Sequence, residues 1–238
     1  MKTIAKYFLP KTLHKFLVEI KNNYIERFAL KSYSQEGEDM ILRRIFENKR
    51  RGFYVDVGAH HPFRFSNTYF FYKKDWCGIN IDAMPNSMDG FKKFRPRDVN
   101  IEIPIGNSEE ILTYFSFNEP ALNGFSESLS RERDGKNGYF IKQKIKMKVS
   151  KLSSVLEKYL PINTEIDFLS IDVEGLDFDI LKSNDWLKYR PRCILIEIFS
   201  NSLDEIEGSE INNFLKKNGY FLFAKTVNTA FFMQQAAQ

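Results

Sequence analysis

The sequence predicts an α/β domain with parallel strands and an antiparallel hairpin at its end. Three observations carry that prediction. Helical and strand-like patterns alternate along most of the chain. Several apolar runs end in glycine or an acid, as strands do when they run into a ligand-facing turn. The last two apolar runs are joined at Val227-Asn228, too short for a crossover, so they must pair as an antiparallel hairpin.

The elements follow in order. In residues 1–31, Ile4, Phe8, Leu13, Phe16, Leu17, Ile20, Tyr24, Ile25 and Phe28 recur at three- and four-residue spacing among Lys and Arg, with a break at Pro10. This amphipathic helical segment suits packing on the domain, on a second subunit of a homo-oligomer, or on an anionic membrane surface. Residues 32–238 form the main domain. A helix at 39–46 leads into a strand at 53–57, and Ser66 caps a short helix reaching Tyr72. Strands at 79–82 and 100–105 flank a helix at 86–94. Residues 112–149 break the alternation. Two strand-like runs, 112–117 and 141–149, enclose a polar, glycine-containing stretch with no clear period, read as an acceptor lid. A helix at 149–160 stops at Pro161. Then come a strand at 166–172, a helix from 176, a strand at 193–198, a helix at 209–218 closed by Gly219, and strands at 220–225 and 229–233.

The chain has 238 residues, 43% hydrophobic and 28% charged, which suits a soluble globular fold. Its 23 phenylalanines supply core volume where alanines are few. A net charge of +4 is too slight to point to nucleic acid. Cys77 and Cys193 are too few for a disulfide framework and lack neighbours for zinc. Buried reduced thiols and a cytoplasmic location are therefore expected. No run approaches the roughly 20 apolar residues of a membrane span, and the N-terminus carries no apolar stretch of signal length.

The chemistry concentrates at strand ends. In Gly52-Phe-Tyr-Val-Asp-Val-Gly-Ala-His-His-Pro62, an apolar run carries Asp56 and breaks into Gly58-Ala59. In Gly78-Ile-Asn-Ile-Asp-Ala-Met-Pro85, the next run ends in Asp82, placed where a ribose is held by its hydroxyls. A third run, Asp167-Phe-Leu-Ser-Ile-Asp-Val-Glu-Gly175, ends in Asp172 and Glu174, and a fifth strand ends in Glu197. Together these place a nucleoside-bearing cofactor across the carboxyl ends of adjacent parallel strands.

Four motifs in this order, Ser34-Gln-Glu-Gly-Glu-Asp39, Asp-Val-Gly-Ala, Ser66-Asn-Thr-Tyr-Phe-Phe-Tyr72 and Ile-Asp-Val-Glu-Gly, resemble the FkbM family of S-adenosylmethionine-dependent methyltransferases from about residue 32 to 233. The resemblance implies the class I methyltransferase (Rossmann-like) fold, an α/β architecture on a mostly parallel seven-stranded sheet with its last strand antiparallel and helices on both faces. The implied activity is methyl transfer to a hydroxyl oxygen of a sugar or other natural product. It also implies that Asp56, Gly58 and Ala59 touch the cofactor's amino-acid part and Asp82 its ribose. Gln35, Ser66 and Asn67 fall on motifs facing the methionine end. The chain departs from a full Gly-x-Gly-x-Gly turn, which weighs against a dinucleotide, whereas a sulfonium cofactor has no phosphate to cradle.

A hydroxyl acceptor must lose its proton, so a base or a metal is needed. His60 and His61 are the leading bases, with a lean to His61 because Pro62 restricts its backbone. Asp172 and Glu174 stand near the transferable methyl. Asp172 with Glu197 offers a carboxylate pair for Mg²⁺ or Mn²⁺. The expected activity is O-methylation of a sugar or nucleotide-sugar in bacterial surface polysaccharide synthesis. A nicotinamide-dependent sugar oxidoreductase and a non-catalytic scaffold of the same fold are the alternatives.

Overall fold

A computed structural model describes residues 10–25, 27–173, 175–200 and 202–235. The chain divides into two compact units, residues 1–32 and 33–238. In the first, helix α1 (Lys11–Ile20) runs into a π-helical turn at Lys21–Ile25. Residues 1–9, including the expected Ile4 and Phe8, lie outside the described residues.

The second unit contains helices α2 (Glu38–Ile45), α3 (Tyr69–Tyr72), α4 (Met88–Phe94), α5 (Glu127–Arg133), α6 (Leu152–Tyr159), α7 (Asp177–Lys182), α8 (Leu203–Gly208) and α9 (Glu210–Lys217). Its strands are β1 (Phe53–Val57), β2 (Cys77–Asp82), β3 (Val99–Glu102), β4 (Ile111–Phe117), β5 (Ile141–Lys148), β6 (Phe168–Ile171), β7 (Cys193–Glu197), β8 (Tyr220–Lys225) and β9 (Thr229–Gln234). Seven of them form one sheet in the order β3-β2-β1-β6-β7-β9-β8. Strands β3, β2, β1, β6 and β7 are mutually parallel, and β9 runs antiparallel to both β7 and β8. The hairpin inferred from Val227-Asn228 is thus the sheet's antiparallel edge.

Both faces of the sheet are covered, so β1 is buried at all five positions. One face is aliphatic: Val55, Val57, Ile79, Ile81, Leu169, Ile171 and Ile196 pack with Leu152, Val155, Ile180 and Leu215 from α6, α7 and α9. The other is aromatic: Tyr54 and Phe168 pack with Leu42, Phe46, Phe71 and Trp76. There the Phe71 ring lies 4.8 Å from Trp76 and 5.1 Å from Phe168, within the range of favourable edge-on pairs. Five of the chain's 23 phenylalanines, Phe46, Phe70, Phe71, Phe168 and Phe231, pack on this face.

A polar row interrupts the aromatic face. Asn100, Asn80, Asp56 and Ser170 are successive register partners across β3, β2, β1 and β6. Over them lies Arg95, fully buried, at the end of α4. Its Nε donates to Asp98 at 2.9 Å, and one terminal nitrogen donates to both the Tyr54 hydroxyl and Thr68 Oγ1 at 2.9 Å. Asp98 also accepts from the Asn80 side-chain amide and from the Gly78 main chain.

Two expectations shift. β3 is Val99–Glu102 rather than 100–105, because Pro104 has no N–H for the ladder. β6 stops at Ile171, so strand alternation does not continue through Asp172 to Glu174, and Glu174 lies outside the described residues. The stretch between β4 and β5, aperiodic in sequence, contains α5, whose N-cap Ser126 accepts from the Leu129 main chain. Helix α8 was not anticipated. Its signal is Ser202 three residues before Glu205, and Ser202 Oγ accepts from the Glu205 N–H.

Candidate active site

The turn after β1 is the tightest point of the sheet's carboxyl edge. Gly58 has φ +86°, and a Cβ there would collide with the main-chain carbonyl of Asp172 at the end of β6. Only glycine satisfies both constraints. Every N–H of this turn is already bonded: Gly58 and Ala59 donate to the Ile81 carbonyl, and His60 donates to Asp82 Oδ2 at 2.8 Å. Asp82 Oδ1 accepts from Met84 at 2.7 Å. One carboxylate therefore pins the turns after both β1 and β2. Burial pushes its carboxyl above the usual range, opposed by the N–H donors of Met84 and His60.

Around this joint opens a cleft with about 910 Å³ of empty space, part of it open solvent. Gln35, Gly58, His60, Asp82, Asn123 and Asp172 give its polar lining. Ile81, Ile103, Ile105, Phe65, Phe125 and Leu176 give the apolar one. The segment 112–149 contributes Tyr114, Pro120, Asn123, Gly124 and Phe125 from its separate β4–β5 ribbon. Tyr114 is buried, and its hydroxyl titrates well above the usual range, first through burial and then through the charge of Asp82.

Of the residues singled out from sequence, Gln35, Gly58, His60, Asp82 and Asp172 line the cleft. Five do not. Asp56 is buried on the aromatic face, where it accepts from Thr68 Oγ1 at 3.0 Å; burial raises its carboxyl and Arg95 opposes the rise. Ala59 packs on Met88 and Phe91. Ser66 Oγ accepts from the Tyr69 main chain and, at 3.4 Å, from Arg95, but the N-cap of α3 is Thr68 rather than the expected Ser66. The Asn67 amide donates to Ser170 at 3.1 Å. His61 is exposed, and its Nδ1 accepts from the main chains of Phe63 and Arg64 at 3.1 and 3.0 Å, closing the loop. Its imidazole titrates below the usual range, first through desolvation and then through His60 and Arg64. Of the two histidines, His60 therefore lines the cleft and His61 does not.

Glu197 ends β7 opposite Thr229 of β9 and is not part of the cleft lining. Among the described residues, no group of three or more His, Cys, Asp or Glu is disposed to hold a metal ion. Phe65, Met84, Tyr114, Asn123 and Phe125 were not singled out. Phe65, beside the Ser-Asn-Thr motif, and Met84, two residues past Asp82, sit next to a sequence signal, while the others arrive through tertiary contact.

A sheet of this order, antiparallel only at β9, with an acid and a glycine turn at adjacent strand tips, is the Rossmann-like sheet of class I methyltransferases. The family model "Methyltransferase FkbM domain" matches residues 56–222, and the chain belongs to that family. A solved structure described as a TehB-like SAM-dependent methyltransferase from Corynebacterium glutamicum is similar at 10% identity and a TM-score of 0.39, covering 94% of this chain and 100% of its own. No curated protein matches the chain.

Proposed function

We propose that the chain is an S-adenosylmethionine-dependent O-methyltransferase of a sugar or nucleotide-sugar hydroxyl, serving bacterial surface polysaccharide synthesis. The observation that carries this reading is the cleft over Asp82, where a ribose-binding acid, a histidine and an apolar wall meet at the carboxyl edge of the sheet. The residues fit the cofactor. The remaining lone pairs of Asp82 accept from ribose hydroxyls, and Ile81, Ile103, Ile105 and Phe125 offer a surface for a base. When bound, the cofactor supplies an electrophilic methyl group on a sulfonium sulfur. With that group bound, the His60 imidazole would take the proton of the acceptor hydroxyl as the methyl is transferred to its oxygen. Gln35, Asn123 and Asp172 provide hydrogen-bonding partners for a polyol, and the 112–149 segment acts as the acceptor lid.

The nicotinamide alternative loses support from the turn itself. A pyrophosphate cradle needs free main-chain N–H groups, and those of Gly58, Ala59 and His60 are occupied. Calorimetry should show S-adenosylhomocysteine binding and none with NAD, and mass spectrometry over a nucleotide-sugar panel should show one product heavier by a methylene. Asp82→Ala should weaken S-adenosylhomocysteine binding by roughly 1.5–3 kcal/mol, the scale of hydrogen bonds to a charged acceptor. Unchanged affinity in a folded variant would remove the ribose assignment.

Asp172 and Glu197, at neighbouring strand tips, are the carboxylates a divalent cation would use. Because Glu197 stands outside the cleft lining, the reading favours His60, and activity should persist in EDTA. Loss in EDTA with recovery on adding Mg²⁺ or Mn²⁺ would transfer the role to a metal.

A further inference from the structure

We infer that the N-terminal unit is a docking element for an anionic lipid surface. At 100° per residue, Leu13, Phe16, Leu17 and Ile20 of α1 fall within an arc of about 100°, the stripe of an amphipathic helix. Leu13, Phe16 and Leu17 are exposed, Phe16 at 57%. The apolar exposure continues past the helix with Tyr24, Ile25, Phe28 and Leu30, each at least 66% exposed. Lys15 projects from the opposite side of the helix, with Val18 beside it and Glu19 on the flank next to Phe16.

Charge selects the occupant. Residues 1–31 carry seven basic side chains against two acidic ones, a net +5, while the remaining residues carry 28 against 29. The whole positive excess of the protein therefore lies in this segment. Two copies meeting through it would bring like charge together, whereas an anionic bilayer offers opposite charge and an apolar boundary for the aromatic and leucine side chains. No described helix is long and apolar enough to cross a membrane, so the contact lies in the plane of the surface.

The test is co-sedimentation of the full chain with phosphatidylcholine vesicles, alone or with about 30% phosphatidylglycerol. Binding should be roughly tenfold stronger to the anionic vesicles and weaken with salt. A Phe16→Glu/Leu17→Glu double variant should lose roughly tenfold in partitioning with its melting temperature unchanged, because both positions are exposed. Lys15→Glu should weaken binding and flatten the salt dependence. Failure to bind, equal binding to neutral vesicles, or wild-type binding by the double variant would overturn the inference. So would a dimer in light scattering that the double variant dissolves while the wild type ignores vesicles.

Discussion

His60→Ala is expected to lose roughly 10²–10⁴ in turnover while still binding S-adenosylhomocysteine, the range for removal of a general base. That corresponds to about 3–5 kcal/mol of barrier. The expectation rests on its place in the cleft lining, with its main-chain N–H fixed to Asp82 and its φ at +52°. His61→Ala, by contrast, should lose little turnover, since that ring serves the Phe63 and Arg64 main chains. The assay is single-turnover methyl transfer at saturating acceptor, with cofactor affinity measured separately. Near-normal turnover in His60→Ala would exclude it as the base and bring Asp172 forward.

Arg95→Met should lower unfolding stability by about 3–5 kcal/mol, because the buried Asp98 keeps its charge and loses its cation. For a chain this long the melting temperature should fall by roughly 10 °C. Adding Asp98→Asn should recover part of the loss, since the uncompensated charge disappears; urea denaturation of both variants reads this directly. Cofactor affinity should fall as well, since Arg95 holds Ser66 and Thr68, and Phe65 beside them lines the cleft. A loss under about 1 kcal/mol in Arg95→Met would show that the buried Asp98 does not depend on Arg95 to offset its charge.

The sheet was legible because each of its seven strands is a short apolar run bounded by turn or helix signals. The strand-tip placement of Gly58, Asp82 and Asp172 was legible for the same reason. What could not be read was the direction of the side chains. β1 is buried on both faces, so Phe-Tyr-Val-Asp-Val shows no alternation of polarity, and nothing local says that Asp56 faces Arg95 rather than the cleft. Ser66 and Asn67 lie in the loop before α3, where no periodicity tells that their side chains meet Arg95 and Ser170. Between His60 and His61 the decision lay in a left-handed backbone at a non-glycine residue, which sequence does not announce. Tyr114 reached the cleft through a ribbon outside the main sheet, a tertiary event with no local signature.

The polar row across the aromatic face has a consequence for assembly of the sheet. Parallel strands apolar on both sides carry little information about how far each should slide along its neighbour, since isoleucine on valine fits at several offsets. Asn100, Asn80, Asp56 and Ser170 remove that freedom. A slip of one residue in β2 would turn Asn80 into the aliphatic layer and bring Ile79 or Ile81 under Arg95 and Asp98. Both changes strand buried polar groups, so misaligned pairings are driven out during folding. The row thus works as a ratchet for alignment, and it secures the one offset at which Gly58 meets Asp172 and Asp82 can reach His60.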